Sequence, residues 1–453
     1  MIKKFFVKTL GCKVNQVESS FIIECLKNEN FIPSSEKEAQ IFILNSCIVT
    51  AKAEAECRKI IKRWAKKNPE LIILTGCYAQ RFPQEILDWA KKQCIPNLII
   101  LGQKEKFEIS QILKELLNKS DIEYPLIMVE HLSKLSECEP IILHKFFGHS
   151  RAFVKVQDGC DNFCSYCIVP YSRGAPRSAS AELVLNQIKV FINQGYEEIV
   201  LTGIHLGKWG KDLDPPQKLT DLLWKIEEFL LSYGKEFILR LSSLEVNEID
   251  EDFLEFAKRS KFLAPHFHIP LQSGSNKILK LMNRHYSKEQ YIEILEKLYK
   301  IFPHATFGAD VIVGFPGEDD TDFCSTYEVV KNSPLNWLHI FPFSPRPGTK
   351  AEKFKNKVPF ETIKKRCQIL KDLIAQKREK FLEKEIGQTR KVVLEKFDEQ
   401  KWKGISENYI PVFLTIELPD PDLKGKIVKA IFKNKKGDHL IGEVLSIPQK
   451  TKE

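Results

Sequence analysis

The chain has 453 residues, 43% of them hydrophobic, and carries 69 lysines and arginines against 60 aspartates and glutamates, a formal net charge of +9. That length exceeds one ordinary domain and predicts roughly two to four, each with enough apolar material for a core. No run of about 18 uninterrupted apolar residues occurs, which excludes a helical membrane span and predicts no membrane partner. The opening Met1-Ile-Lys-Lys-Phe-Phe-Val-Lys segment reads as a strand rather than a signal peptide, so a cytoplasmic location is expected. Twelve cysteines then need a role. Disulfide frameworks belong to small secreted domains, whereas a large lysine-rich chain holds thiolates for metal or redox work. The mild basic excess fits a polyanionic partner and equally fits a solvated lysine-rich face.

Taken in chain order, the first hundred residues repeat one pattern. Phe5-Phe6-Val7-Lys8-Thr9-Leu10-Gly11 leads to Cys12, Ile41-Phe42-Ile43-Leu44-Asn45-Ser46 to Cys47, and Leu71-Ile72-Ile73-Leu74-Thr75-Gly76 to Cys77. A fourth run, over 97–102, ends without a cysteine. Helix-like segments at 51–67 and 83–92 separate these runs, and the alternation predicts an open parallel α/β sheet over 1–115. Ligands gather at the carboxyl ends of such strands. This puts Cys12, Cys47 and Cys77 on three loops at one edge, against the alternative of three unrelated buried thiols. Cys25, Cys57, Cys94 and Cys138 lack that placement and are expected to be packing residues, as are Cys324 and Cys367.

Residues 116–145 read as a linker of mixed character. A second βα series follows over 146–375, with strand candidates at 153–156, 198–202, 237–241, 267–271, 307–313 and 337–341 and helices that include 181–194 and 288–301. Six units predict a partial (β/α)6 barrel, whose active edge lies on the loops after the strands. Those loops contain Gly203-Ile204-His205-Leu206-Gly207, Ser242-Ser243-Leu244-Glu245, Gln272-Ser273-Gly274-Ser275 and Gly314-Phe315-Pro316-Gly317-Glu318. A basic helix over 361–384 follows, with Ile363, Cys367, Leu370, Ile374 and Phe381 on one apolar face and Gly387 as its stop. Short runs at 391–395, 410–418, 427–432 and 440–445 predict a small all-β barrel within 376–447.

The strongest local signal is Gly159-Cys160-Asp161-Asn162-Phe163-Cys164-Ser165-Tyr166-Cys167, a C-x3-C-x2-C spacing just after the first strand of the predicted barrel. Thiolates this close hold three corners of a cubane iron–sulfur cluster and leave the fourth iron without a protein ligand. That open iron binds the amino and carboxylate groups of S-adenosylmethionine, and one electron into the sulfonium yields a 5′-deoxyadenosyl radical. A structural zinc site would need a fourth ligand, and no second cysteine pair lies nearby in the sequence.

With these segments in view, the chain resembles the radical S-adenosylmethionine methylthiotransferases over nearly its whole length. The likeness rests on Thr9-Leu10-Gly11-Cys12-Lys13-Val14-Asn15-Gln16, Asn45-Ser46-Cys47, Gly76-Cys77-Tyr78-Ala79-Gln80 and Gln157-Asp158-Gly159-Cys160. It continues through Cys167-Ile168-Val169-Pro170-Tyr171-Ser172-Arg173-Gly174, His268-Ile269-Pro270-Leu271-Gln272-Ser273-Gly274-Ser275 and the 308–318 segment. The resemblance implies an N-terminal methylthiotransferase domain, a radical barrel and a TRAM-type β-barrel that binds RNA. The Leu10–Gln16 run is most similar to the branch that modifies N6-threonylcarbamoyladenosine at position 37 of tRNA.

The resemblance also implies two [4Fe-4S] clusters: a radical-generating one on Cys160, Cys164 and Cys167, and an auxiliary one on Cys12, Cys47 and Cys77 that carries the sulfur to be inserted. S-adenosylmethionine serves as methyl donor and radical source, and the methylthio group goes to C2 of the adenine. Glu245 and Gln272, with Ser243 as a companion, are expected to contact S-adenosylmethionine, against substrate contact or loop support. Family members often have Leu-Glu-Pro where this chain has Leu244-Glu245-Val246. His205 reads as a hydrogen-bonding loop residue, and Tyr166 either packs on the nucleoside or faces solvent. A tRNA anticodon stem-loop is the expected partner, with phosphates held by Lys364, Lys365, Arg366, Lys433, Lys435 and Lys436, or by Lys62, Arg63, Lys66 and Lys67. Two alternatives stand beside this reading. One is methylthiolation of isopentenyladenosine in tRNA or of a ribosomal-protein aspartate. The other is a non-catalytic iron–sulfur RNA-binding protein, which a closed four-ligand cluster would suit better than two triplets.

Overall fold

The apolar runs that end in cysteine lie side by side in one parallel sheet. The computed structural model describes residues 3–118, 123–135, 137–139, 141–146, 149–398, 401–415 and 421–446. It divides into two compact units: Met1–Lys145 with Gln157–Ala179 and Ser344–Glu352, and Phe146–Val156 with Ser180–Phe343 and Lys353–Glu453.

In the first unit six parallel strands run in the order Ile32–Pro33, Lys4–Thr9, Ile41–Ser46, Leu71–Gly76, Leu98–Leu101 and Leu126–Met128. The two central strands are buried at every position, which is why they read as unbroken apolar runs rather than alternating ones. Successive side chains serve opposite layers. Phe42, Leu44, Ile72 and Leu74 pack on Ile60, Ile61 and Trp64, while Ile41, Ile43, Leu71 and Ile73 pack on Ile22, Leu26, Ile109 and Leu113. The register pairs Thr9 with Asn45, Asn45 with Thr75 and Ser46 with Gly76. The three strands therefore end level, each just before its cysteine. The edge strands at 32–33 and 126–128 went unforeseen because two or three residues show no period.

The second unit contains the six expected strands, as two three-stranded parallel sheets. One has the order Ile238–Leu241, Glu198–Thr202, Ala152–Lys155, and the other His266–His268, Thr306–Val313, Trp337–Pro342. An isolated bridge between Leu239 and Leu263 takes the place of a continuous ladder after Ile238–Leu241. Ser180, Asp250, Ser287 and Asp319 each cap a following helix by accepting its third amide, the local signal that starts these helices. The basic helix spans Phe360–Glu385. Beyond it a closed five-stranded barrel encloses Val392, Leu394, Trp402, Val412, Leu414, Val428 and Phe432. Its Lys401–Ser406 strand was not anticipated. Its inward positions are Trp402, Gly404 and Ser406, and a Cβ on Gly404 would meet the Val393 carbonyl at 2.5 Å, so a close approach removes the usual apolar signature. Of the expected 410–418 run, the observed strand is Pro411–Thr415, and 416–418 lie outside the described residues, as does 447.

One buried ion pair ties this unit together. Arg240 Nε donates to Glu198 Oε1 at 2.7 Å with both side chains fully buried, and its Nη1 reaches the Glu407 carbonyl at 3.0 Å. Removing one partner strands a buried charge, whereas replacing both removes the problem. Arg240→Met is expected to destabilise the unit by about 3–5 kcal/mol in urea unfolding. Pairing it with Glu198→Gln should recover most of that loss.

Candidate metal centres

Two glycines let the three strand-end cysteines approach. Gly11 has φ +99°, and a Cβ there would sit 2.8 Å from Cys47 Cβ. Gly76 has φ +90°, and its Cβ would sit 2.5 Å from Asn45 Oδ1. Side chains at these positions would push the loops apart. Cys12 is exposed, Cys47 half-buried and Cys77 buried at the start of the Cys77–Arg81 helix. The structure thus brings the three together. Burial pushes the Cys47 thiol up to about 11, and the charges of Cys77 and Cys12 add to it. The protein packed around Cys12 also raises its thiol, Arg173 pulls it down, and Cys77 raises it again. Three thiolates in mutual electrostatic reach repel one another and are stable together only against positive charge, as a bound iron cluster supplies. This donor set fits such a group.

Cys57 lies just behind, its thiol donating to the Cys47 carbonyl at 3.8 Å. Burial pushes it up to about 12, so it stays protonated as a packing residue. Cys138 and Cys367 are buried and Cys25 half-buried, but Cys94 and Cys324 are exposed, against expectation. Cys94 sits in a turn with φ +49°, and Cys324 lies on an outward position of the Asp320–Asn332 helix.

The second motif occupies a loop closed at its base. Gln157 and Asp158 pair antiparallel with Ser178 and Arg177. Above that ladder the Cys160 amide donates to the Gly174 carbonyl at 3.0 Å, and the Cys167 amide to the Cys164 carbonyl at 2.9 Å. Gly159 has φ +74°, and a Cβ would collide with the Ala175 carbonyl at 1.9 Å. Cys164 is buried and its two companions half-buried.

A buried polar network, missed in the sequence, stands between these motifs. Arg173 is fully buried. Its guanidinium donates to Glu18 Oε1 at 2.6 Å and Oε2 at 3.1 Å, to Asp158 Oδ1 at 3.1 Å, to Asn15 Oδ1 at 2.5 Å and to Cys77 Sγ at 3.3 Å. Lys106, also buried, pairs with Glu18 at 2.6 Å. Gln103 Nε2 points to Cys77 Sγ at 3.6 Å and to the Ser172 carbonyl at 3.1 Å. Asn15, Asp158 and Arg173 lie in the motif segments quoted above, but nothing in their spacing pairs them with one another or with Glu18 and Lys106.

In the second unit, Glu245 is ion-paired with Arg284. Its amide donates to Glu248 Oε2 at 2.9 Å, and Glu248 in turn pairs with His205, so the loops bearing Glu245 and His205 are tied together. Gln272 is buried with φ +59°. Its amide donates to the Asp310 carbonyl at 2.8 Å, and its carbonyl accepts from Ile312 at 3.0 Å. Ser243 is exposed. Sequence reasoning did not single out the adjoining polar face, where His268 Nε2 lies 3.1 Å from Asp310 Oδ1 and His339 completes a set with ligand atoms all within 4.8 Å of one another. The register alone aligns Asp310 with His339 on neighbouring strands.

The basic residues divide. Arg366 is buried between Glu318 at 2.5 Å and Asp320 at 2.7 Å, so it holds the fold and does not serve as a phosphate ligand. Lys435 bridges Glu379 and Glu383, and Arg63 and Lys67 share Glu36. Lys364 and Lys365 are exposed beside the 72%-exposed Phe360 and line a groove with Lys371, Ile340 and Pro342.

Comparison with known proteins bears on the family and the fold. Residues 154–330 match the radical SAM superfamily, and residues 4–95 match an uncharacterized protein family, UPF0004. The threonylcarbamoyladenosine tRNA methylthiotransferase MtaB of Aquifex aeolicus is 37% identical over 412 residues, covering 90% of this chain and 96% of the relative. A tRNA-2-methylthio-N(6)-dimethylallyladenosine synthase of Clostridium botulinum (strain Loch Maree) is 34% identical over 415 residues, covering 89% of each. In fold, the chain resembles the radical S-adenosylmethionine methyltransferase TsrM of Kitasatospora setae, with a TM-score of 0.56 at 11% identity over 78% of this chain and 74% of that one. The cysteine loop, the strand-end cysteines and whole-length relatives of this identity together make the chain a member of the radical S-adenosylmethionine methylthiotransferase family.

Proposed function

We propose that this enzyme inserts a methylthio group at C2 of N6-threonylcarbamoyladenosine at position 37 of tRNA. The observation that carries the reading is the 37% identity, over nearly the full length of both chains, to a methylthiotransferase named for that nucleoside. The equally long match to a dimethylallyladenosine synthase supports a second reading, with isopentenyladenosine as the substrate. The enzyme acts in the cytoplasm, where its tRNA substrate resides.

Cys160, Cys164 and Cys167 hold one [4Fe-4S] cluster, and Cys12, Cys47 and Cys77 hold an auxiliary one. When bound, the first supplies the electron that cleaves S-adenosylmethionine, and the second supplies the sulfur. The chain's own contribution is positional. Gly159 and the 157–178 ladder set the shape of the first loop, while Gly11 and Gly76 set the approach of the other three cysteines. Glu245, Gln272 and Ser243 are the residues we assign to S-adenosylmethionine, and Gln272 is fixed by its backbone bonds to the Asp310–Ile312 strand. The Arg284 pair holds the Glu245 carboxylate in one orientation. The anticodon stem-loop lies along the Phe360 groove, where an exposed aromatic ring offers stacking and three lysines offer charge to the phosphates.

Three outcomes follow. Mass spectrometry of tRNA nucleosides from a deletion strain should show loss of 2-methylthio-N6-threonylcarbamoyladenosine. Selective loss of the isopentenyl product instead would favour the second reading. Anaerobic reconstitution should load about eight irons per chain, two cubanes of four, and about four after replacing either cysteine triplet with alanine. Lys364→Gln, Lys365→Gln and Lys371→Gln combined should weaken tRNA binding and reduce the slope of log K against log salt by about 0.7–0.9 for each phosphate that is no longer neutralised.

A further inference from the structure

We infer that Arg173 is a positioning residue of the auxiliary centre: it fixes the three strand-end cysteine loops and raises the reduction potential of the cluster they hold. This inference rests on the auxiliary-cluster reading above.

The geometry separates Arg173 from an ordinary structural arginine. Its terminal nitrogens, Nη1 and Nη2, donate to oxygens of Glu18, Asp158 and Asn15, and together these bonds fix the guanidinium plane. The remaining donor, Nε–H, is thereby aimed at Cys77 Sγ. Through Asn15 the same group reaches the other two loops. The Asn15 amide donates to the Leu10 carbonyl at 2.7 Å and to the Ser46 carbonyl at 3.0 Å, the latter immediately before Cys47. Asn15 Oδ1, which accepts from Arg173, also accepts from the Cys12 thiol at 3.8 Å while that cysteine is protonated, and the Leu10 bond holds its loop once it is a thiolate. One side chain thus braces Cys12, Cys47 and Cys77. It is carried on the short Pro170–Arg173 helix that directly follows the Cys160–Cys167 motif.

The energetics point the same way. A buried ionic cluster contributes little net stability compared with apolar packing, so stability alone does not account for it. Arginine keeps its proton at any accessible pH, so the charge beside Cys77 is permanent. Adding an electron makes an iron–sulfur cluster more negative. A fixed cation and N–H donors to its sulfurs therefore favour the reduced state and raise its potential. Gln103, with its own N–H directed at Cys77 Sγ, adds in the same sense.

The test uses the full chain with Cys160→Ala, Cys164→Ala and Cys167→Ala, which leaves only the auxiliary centre, reconstituted and titrated by EPR. This parent should bind about four irons. Adding Arg173→Gln should keep the iron and shift the one-electron equilibrium at least tenfold toward the oxidised state, about 59 mV more negative. Arg173→Lys, which keeps the charge, should restore most of the shift. If Arg173→Gln does not fold, judged by thermal melting and gel filtration, Gln103→Leu removes one N–H donor without changing charge and should shift the potential less but in the same direction. An iron-loaded, folded variant with the parent's potential and EPR signal overturns the role of Arg173. A parent that binds no iron overturns the auxiliary-cluster reading instead.

Discussion

Thiolates brought together repel one another, and the first unit is organised around that constraint. Its parallel sheet delivers Cys12, Cys47 and Cys77 to one edge because the strands end in register. Glycine at positions 11 and 76 removes the side chains that would hold the loops apart. Burial and the charges of its two companions push the Cys47 thiol upward in pKa, and beside Cys12 the Arg173 guanidinium opposes the rise. Cys57, a short distance behind, packs differently from these three. Its surroundings are apolar, and its thiol donates to a backbone carbonyl.

The second unit solves a different problem. In one of its sheets His268, Asp310 and His339 bring their ligand atoms within 4.8 Å of one another. The loops carrying His205 and Glu245 are joined through Glu248 rather than left to move independently. Acidic residues here serve mainly to hold cations in place: Glu245 holds Arg284, Glu198 holds Arg240 and Glu318 holds Arg366. This pattern is why a count of lysines and arginines overstates the surface available to RNA, and why the lysines beside Phe360 stand out from the rest.

Much of this was legible in the sequence where the chemistry is local. The strand-plus-cysteine pattern, the C-x3-C-x2-C loop, the six barrel strands and the 361–384 helix all follow from spacing within a few residues. What escaped was either too short or too distant. The Ile32–Pro33 and Leu126–Met128 strands have no room to show alternation. The Lys401–Ser406 strand hides its inward face behind Gly404 and Ser406. Arg173 finds Glu18 and Asn15 across more than 150 positions, and Arg366 reads as part of a basic run until Glu318 is seen beside it. Long-range ion pairs leave no period in a sequence, so charge patterns misled where hydrophobic patterns did not.

The first unit is not one continuous piece of chain. Its sheet is complete by Met128, yet the guanidinium that completes the pairing of Glu18 belongs to residue 173. During synthesis the sheet and its three cysteines emerge well before that arginine. Until it arrives, Lys106 alone faces the Glu18 carboxylate among these partners, and the Asn15 brace lacks its anchor. The Cys12, Cys47 and Cys77 edge therefore reaches its final form only after the Cys160–Cys167 loop has been made. The order of the chain makes the final shape of the three strand-end cysteine loops wait for the second cysteine motif, although the sheet that carries them is made first.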